Sequence, residues 1–223
     1  MNTELFHWDI ETVAEHKDFE TFELNDERGS NLFKKKFHKM RWEDKYPTYN
    51  DAYLEQGGIV STFGKIVCIS YGYTNNNGVP VITSAYGDDE REVVFKFNEV
   101  LKKVETKNFN LCGFRILSFD LPYLLHKLHK YGIEPANILY LYDKKPWEMR
   151  MVDISDDWRS KFAWAFSLDE ASYELGIDSP KDAMDGSQVH KYYWNGRLED
   201  VRVYCEKDVR VSIEVSKKIY CVI

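Results

Sequence analysis

No run of apolar residues in this chain approaches the ~20 needed to cross a bilayer as a helix, and no basic stretch leads into an apolar one near its start. The expectation is a cytoplasmic protein with no membrane partner. Its four cysteines, Cys68, Cys112, Cys205 and Cys221, stand far apart and form no CxxC pair. Buried thiols in a reducing compartment are therefore expected. No internal period and no low-complexity segment marks a repeat array or a linker. Excess positive charge is missing too: the net charge is −7 and the pI is near 5.5. That argues against a protein that coats duplex nucleic acid without specificity. It leaves room for a nucleic-acid enzyme whose acidic site is neutralised by metal ions.

What is present is an ordinary globular balance, 43% hydrophobic and 30% charged over 223 residues, enough chain for one sizeable core. Aromatics are abundant, with fifteen Tyr, thirteen Phe and six Trp, fitting a large aromatic core or a stacking site.

Residues 4–10 read as a strand. Residues 13–58 read as an irregular, charged insertion carrying the basic-aromatic run "KKKFHKMRW" from Lys34 to Trp42. "GKIVCISYGYT" is β-branched and aromatic, "TNNNG" is a hairpin signal, and "VPVITSAY" is the returning strand, with Pro80 marking an edge. Val93, Val94, Phe97, Val100, Leu101 and Val104 recur at helical spacing. "FNLCGF" is a short buried strand, and "DLPYLLHKLHKYG" is a helix with Pro122 in its first turn and Gly132 past its end. "NILYLYD" and "MRMVDIS" read as strand or loop pieces, and "SLDEASYELGI" as a helix capped by Ser167. A long helix spans about Leu198 to Lys218. The order points to one mixed α/β domain over residues 1–223.

Four carboxylates demand an explanation. In "FHWDIET", Asp9 and Glu11 project to the same side of a strand, and buried like charges repel. Asp208 lies on the apolar stripe of the last helix with Val201, Tyr204, Cys205, Val211 and Val215, and Tyr204 sits one turn before it. Asp120 stands at a strand-to-helix junction, where ligands gather in α/β sheets. Singly, Asp120 reads equally as a helix cap, Asp208 as a partner of Arg210 or Lys207, and the first pair as an exposed strand end. Together they suit a shared cluster of hard divalent cations, which prefer carboxylate oxygens.

"WDIET", "GFRILSFDLPYL" and "YCEKDV" resemble, in order, the three motifs of the DEDD 3′–5′ exonucleases. Tyr204 places the resemblance in the tyrosine branch; where the histidine branch carries its His, this chain has Val203. The surrounding words are most similar to the proofreading exonuclease domain of family B DNA polymerases and to stand-alone bacterial relatives of it. "FGKIVCISYG" and "SLDEASYELGI" with "MDGSQV" add to the likeness. One departure is Arg115, which stands where the family usually has Asn.

The resemblance implies a ribonuclease H-like α/β fold, a mixed five-stranded sheet flanked by helices. It implies that Asp9, Glu11, Asp120 and Asp208 hold two divalent cations, Mg²⁺ or Mn²⁺, about 4 Å apart, with Tyr204 orienting the attacking water. The implied activity is release of 5′-mononucleotides from the 3′ end of single-stranded DNA, in preference to RNA. Thr12 is expected beside the terminal nucleotide. Phe119 and Tyr123 are candidates for stacking on a base or for core packing, and Arg115 for a phosphate contact or a solvated side chain. The Lys34–Trp42 run is a guide for single strands or a solvated face. His7 shares the side of Asp9 and Glu11 and reads as structural. The alternatives are an exoribonuclease with the same chemistry and a non-catalytic nucleic-acid-binding module.

Overall fold

Eleven residues of alternating character open the chain and become its central strand. The computed structural model describes residues 4–145, 148–159, 166–179 and 184–220; Cys221 lies outside them. Strand β1 (Glu4–Ala14) is flanked by β2 (Gly64–Thr74) and β4 (Phe109–Gly113) in a sheet ordered β3-β2-β1-β4-β5. β2 runs antiparallel to β1 and to β3 (Pro80–Tyr86), whereas β4 runs parallel to β1 and to β5 (Met151–Asp153). Pro80 therefore opens an edge strand, where its missing N–H costs no ladder bond. The turn before it is held by the Asn75 side chain, which accepts from the backbone N–H groups of Asn77 and Val79 at 2.9 and 3.0 Å.

Alternation along β1 builds two faces. Phe6, Trp8 and Ile10 pack with α4 (Glu90–Val104) and α5 (Asp120–Lys130), the Trp8 and Phe97 rings being 5.2 Å apart. On the other face lie α8 (Val189–Trp194) and the long α9 (Leu198–Tyr220), whose Val201, Tyr204 and Cys205 pack with Val13, Val67 and Cys68. Val67 is an extra residue in β2, because the register jumps between Glu11↔Cys68 and Thr12↔Ile66. Such a bulge bends a strand where a site needs its side chains re-aimed. Helices α6 (Ile154–Arg159) and α7 (Leu168–Glu174) follow β5. Ser167 caps α7 through the reciprocal bonds expected of Ser and Glu three apart, Glu170 N–H to Ser167 Oγ at 3.1 Å and Ser167 N–H to Glu170 Oε2 at 2.7 Å.

The segment read as an irregular insertion is helical. β1 itself continues to Ala14, and α1 (Phe19–Asn25), α2 (Glu27–Lys39) and α3 (Tyr49–Gln56) follow. Asp18, Asp26 and Thr48 cap the three helices. The physical reason is a second aromatic core: Phe19, Phe22, Phe33, Phe37, Tyr53 and Phe63 bury one another beyond the end of β1. The Lys34–Trp42 run lies on α2 and the turn after it. Phe37 points inward, Lys34 leans on the Phe19 and Tyr49 rings, and Lys35 and Lys39 face solvent. "NILYLYD" forms a short 3-10 turn over Asn137–Leu139 and no strand. Phe33→Ala, which empties the middle of the aromatic core, is expected to lower stability by about 3–5 kcal/mol, read as an earlier urea midpoint.

Candidate active site

Parallel pairing between β1 and β4 ends at His7↔Cys112, so β1 runs on past its neighbour. β4 can lie that close because Gly113 closes it: a Cβ there would fall 2.7 Å from the Trp8 carbonyl oxygen. The gap that opens beyond is filled by Asp120. Its Oδ1 accepts the Ile10 N–H at 3.0 Å, taking the place of a sheet partner. Asp120 is the first residue of α5 and not its cap; the cap position is Phe119, which offers no side-chain bond. Ile10 lies between Asp9 and Glu11, so this one bond docks the third carboxylate against the first two.

α9 supplies the rest of the site. Tyr204 and Asp208, one turn apart, face the same strand, and the Tyr204 hydroxyl bonds the Asp208 side chain. Burial first, then Asp120 and Asp208, hold the Asp9 carboxyl well above the usual carboxylate range. Glu11, 8% exposed, is raised by burial and then by Asp9 and Asp208. Asp120, 2% exposed, is pushed up to about 7, chiefly by burial, against the lowering effect of the Ile10 N–H. The Tyr204 phenol is raised by burial and by Asp208, Glu11 and Asp9. Buried like charges of this kind are what a divalent cation neutralises, and the donors are the oxygens such ions prefer.

His7 lies behind the cluster. Its ring nitrogens meet Ser212 Oγ at 3.0 Å and Ser216 Oγ at 3.2 Å, and burial lowers its pKa to about 3. It is a neutral tie between β1 and α9, as the structural reading expected.

The substrate candidates divide. Thr12 is half-buried at the bulge, and Phe119 is half-buried with its ring 5.6 Å from Tyr123. Tyr123 is a correction: it is 3% exposed in the core, with its hydroxyl on the Gly58 carbonyl at 2.9 Å, and its ring has no free face for a base. Arg115 is exposed and bonds the Phe166 carbonyl at 2.9 Å. Its φ of +63° is left-handed backbone, which Asn tolerates better than Arg; the Asn expected at this position suits that backbone directly.

Two neighbours escaped the sequence reading. Asp153, at the end of β5, accepts the N–H groups of Arg115 at 2.9 Å, Leu117 at 3.0 Å and Ser155 at 3.0 Å, and so shapes the loop leading to Asp120. Its signal was an acid closing a short apolar strand. Cys205 Sγ lies 3.6 Å from both the carbonyl oxygen and Oδ2 of Asp9. Its place on the inward stripe beside Tyr204 was visible; its approach to β1 was not. "MDGSQV" also gains a place. Met184 packs with Tyr204, Asp185 caps a short turn, and a Cβ on Gly186 would stand 3.8 Å from the Tyr204 hydroxyl.

A mixed five-stranded sheet with helices on both faces, its acids gathered beside the central strand, is a ribonuclease H-like α/β fold. Residues 59–212 match the model of a family described as "Predicted 3'-5' exonuclease related to the exonuclease domain of PolB", and the chain belongs to that family. The match includes Asp120, Tyr204 and Asp208; Asp9 and Glu11 precede it. Among solved structures the chain is similar to the family B DNA polymerase of the hyperthermophilic archaeon Pyrobaculum calidifontis, at 16% identity and a TM-score of 0.61. That likeness covers 99% of this chain and 25% of the polymerase, so the chain spans about a quarter of that relative's length. A structure of E. coli Exonuclease I in complex with an oligonucleotide aligns at 11% identity and a TM-score of 0.43, over 90% of this chain and 42% of that one. No curated protein matches. Among the described residues, no helix is long and apolar enough to cross a membrane.

Proposed function

We propose that the chain, acting as one exonuclease domain, releases 5′-mononucleotides from the 3′ end of single-stranded DNA. Asp9, Glu11, Asp120 and Asp208 hold two divalent cations, Mg²⁺ or Mn²⁺. The observation that carries this reading is the gathering of four carboxylates beside the middle of β1, with Asp120 on the Ile10 N–H and Asp208 acting on Asp9 and Glu11, and with Asp9, Glu11 and Asp120 all raised chiefly by burial. When bound, such cations neutralise the developing charge of phosphodiester hydrolysis and activate water.

The side chains do the remaining work. Water attacks phosphorus and the bond to the 3′ oxygen breaks, leaving the phosphate on the released nucleotide. The Tyr204 phenol, held above its ordinary pKa, keeps its proton at neutral pH. It therefore positions the attacking water by hydrogen bonding and does not serve as general base. Thr12 and the half-buried Phe119 flank the terminal nucleotide, and Arg115 sits on the loop before Asp120, within reach of the strand's phosphates.

Tyr204→Phe removes the hydroxyl and keeps the ring. It is expected to lower kcat by about 10- to 100-fold with cation affinity unchanged, a smaller loss than that of any carboxylate; calorimetric Mn²⁺ titration beside steady-state rates reads both. The assay for the proposal uses 5′-labelled single-stranded DNA and RNA of matched sequence, with Mg²⁺ or Mn²⁺ and with chelator. A DNA ladder shortening from the 3′ end, abolished by chelator, is the expected result. Shortening of RNA alone reverses the sugar assignment, and no shortening of either strand sinks the enzyme reading in favour of a binding module.

A further inference from the structure

The hard-ion reading of the centre leaves one of its closest neighbours without a role. Cys205 is completely buried on α9 among the apolar side chains of its cluster, and its thiol donates to the Asp9 carboxylate on β1. One ligand atom from each of Asp9, Glu11 and Cys205 lies within 4.8 Å of the others. In a tetrahedral zinc site, sulfur at about 2.3 Å and carboxylate oxygen at about 2.1 Å from the metal stand about 3.6 Å apart. Cys205 Sγ stands 3.6 Å from Asp9 Oδ2 in an S–H···O hydrogen bond, a spacing that a zinc ion replacing the proton would keep.

From this geometry we infer that Asp9, Glu11 and Cys205 form a second, sulfur-containing coordination set for a thiophilic divalent cation of the Zn²⁺ class, sharing two carboxylates with the catalytic centre. Mg²⁺ takes oxygen ligands and leaves a thiol alone. Zn²⁺ accepts thiolate, imidazole and carboxylate alike, and three protein ligands leave it one open position. The thiol proton passes to solvent as the metal binds. Cys68 lies opposite Glu11 in the sheet register and packs in the same cluster as Cys205, so the seat holds a second sulfur close by. A Zn²⁺-class ion seated here occupies the oxygens that the hard ions need, so the set makes the exonuclease sensitive to thiophilic metals. The inference rests on Asp9 and Glu11 being cation ligands; it does not rest on turnover.

Cd²⁺ is the probe, because a cadmium–thiolate bond absorbs in the ultraviolet whether or not the protein cleaves anything. Titrating the full chain with Cd²⁺ at neutral pH should raise a charge-transfer band that saturates near about one ion per chain. Zn²⁺ should displace it, and Mg²⁺ at the same concentration should not. Cys205→Ser and Asp9→Asn should each abolish the band and weaken Cd²⁺ binding by at least about 100-fold, while Cys112→Ser retains it. Cys205→Ala is the companion variant should a serine hydroxyl disturb the buried seat; circular dichroism checks each fold. No band in the native protein, or a band that survives either the Cys205 or the Asp9 substitution, overturns the inference. A protein that cleaves DNA in Mg²⁺ but shows no band contradicts the sulfur set alone. One that shows the band and cleaves nothing supports the set and removes the exonuclease reading.

Discussion

Asp9→Asn should abolish hydrolysis, by at least about a thousandfold, and at the same time make the cation-free protein more stable. The two effects have one cause. Burial is the larger penalty on the Asp9 charge, and repulsion from Asp120 and Asp208 adds to it. The amide has the same shape but no charge, so it removes the repulsion and with it the attraction for a divalent ion. A thousandfold in rate is about 4 kcal/mol of transition-state stabilisation, within what a lost metal contact removes. Relief of one buried like-charge contact should raise the thermal midpoint in chelator by several degrees, since about 1 kcal/mol shifts a domain of this size by about 2–4 °C. The Cys205 contact to the Asp9 carbonyl oxygen survives the substitution, so the local packing is retained. Steady-state rates and calorimetry in chelator read the two halves. Lost activity with lost stability would instead mark Asp9 as a structural residue.

The second large effect is a stability that runs the wrong way with pH. The Asp120 carboxyl, ordinarily near 3.8, is raised to about 7, and Asp9 and Glu11 are raised with it. Between those values the folded protein holds protons that the unfolded chain has released. The cation-free protein is therefore expected to lose stability as pH rises from about 4 to about 7, the reverse of an ordinary salt-bridged acid. The stability contributed by the protonated acids is complete below the unfolded value and gone above the folded one. Divalent cation restores it, by about 2.7 kcal/mol at a hundredfold excess over Kd, and more strongly at pH 8 than at pH 5, where protons compete for the same oxygens. Thermal midpoints with Mn²⁺ and with chelator across that range measure both trends. A chelator curve that is flat or rising over the window contradicts the buried, repelling cluster.

How much of this was legible in the sequence depended on how local each feature is. Asp9 and Glu11 could be paired because a strand alternates, and Tyr204 with Asp208 because a helix repeats. Ser167 and Glu170 announced a cap that lies entirely within four residues. The α1–α3 region was misread because its charges outnumber its aromatics along the chain. Phe19, Phe33 and Phe63 declare a core only when folded onto one another and onto Ala14. Tyr123 stood open between stacking and core packing because Gly58, whose carbonyl takes its hydroxyl, is 65 positions away. Separation in sequence likewise hid Asp153 beneath Arg115, 38 positions away, and Cys205 beside Asp9, 196 positions apart. Even the bond that assembles the site, Ile10 N–H to Asp120, required knowing that β4 stops pairing at Cys112.

If the four acids from β1, α5 and α9 are a divalent-cation centre, they should bind manganese in the crystal. Crystals grown with Mn²⁺ and measured across the manganese absorption edge test it most directly. Anomalous density is expected among Asp9, Glu11 and Asp208, and is expected to be absent from crystals of Asp9→Asn. Well-ordered carboxylates with no anomalous density between them, or manganese bound only elsewhere on the protein, would contradict it.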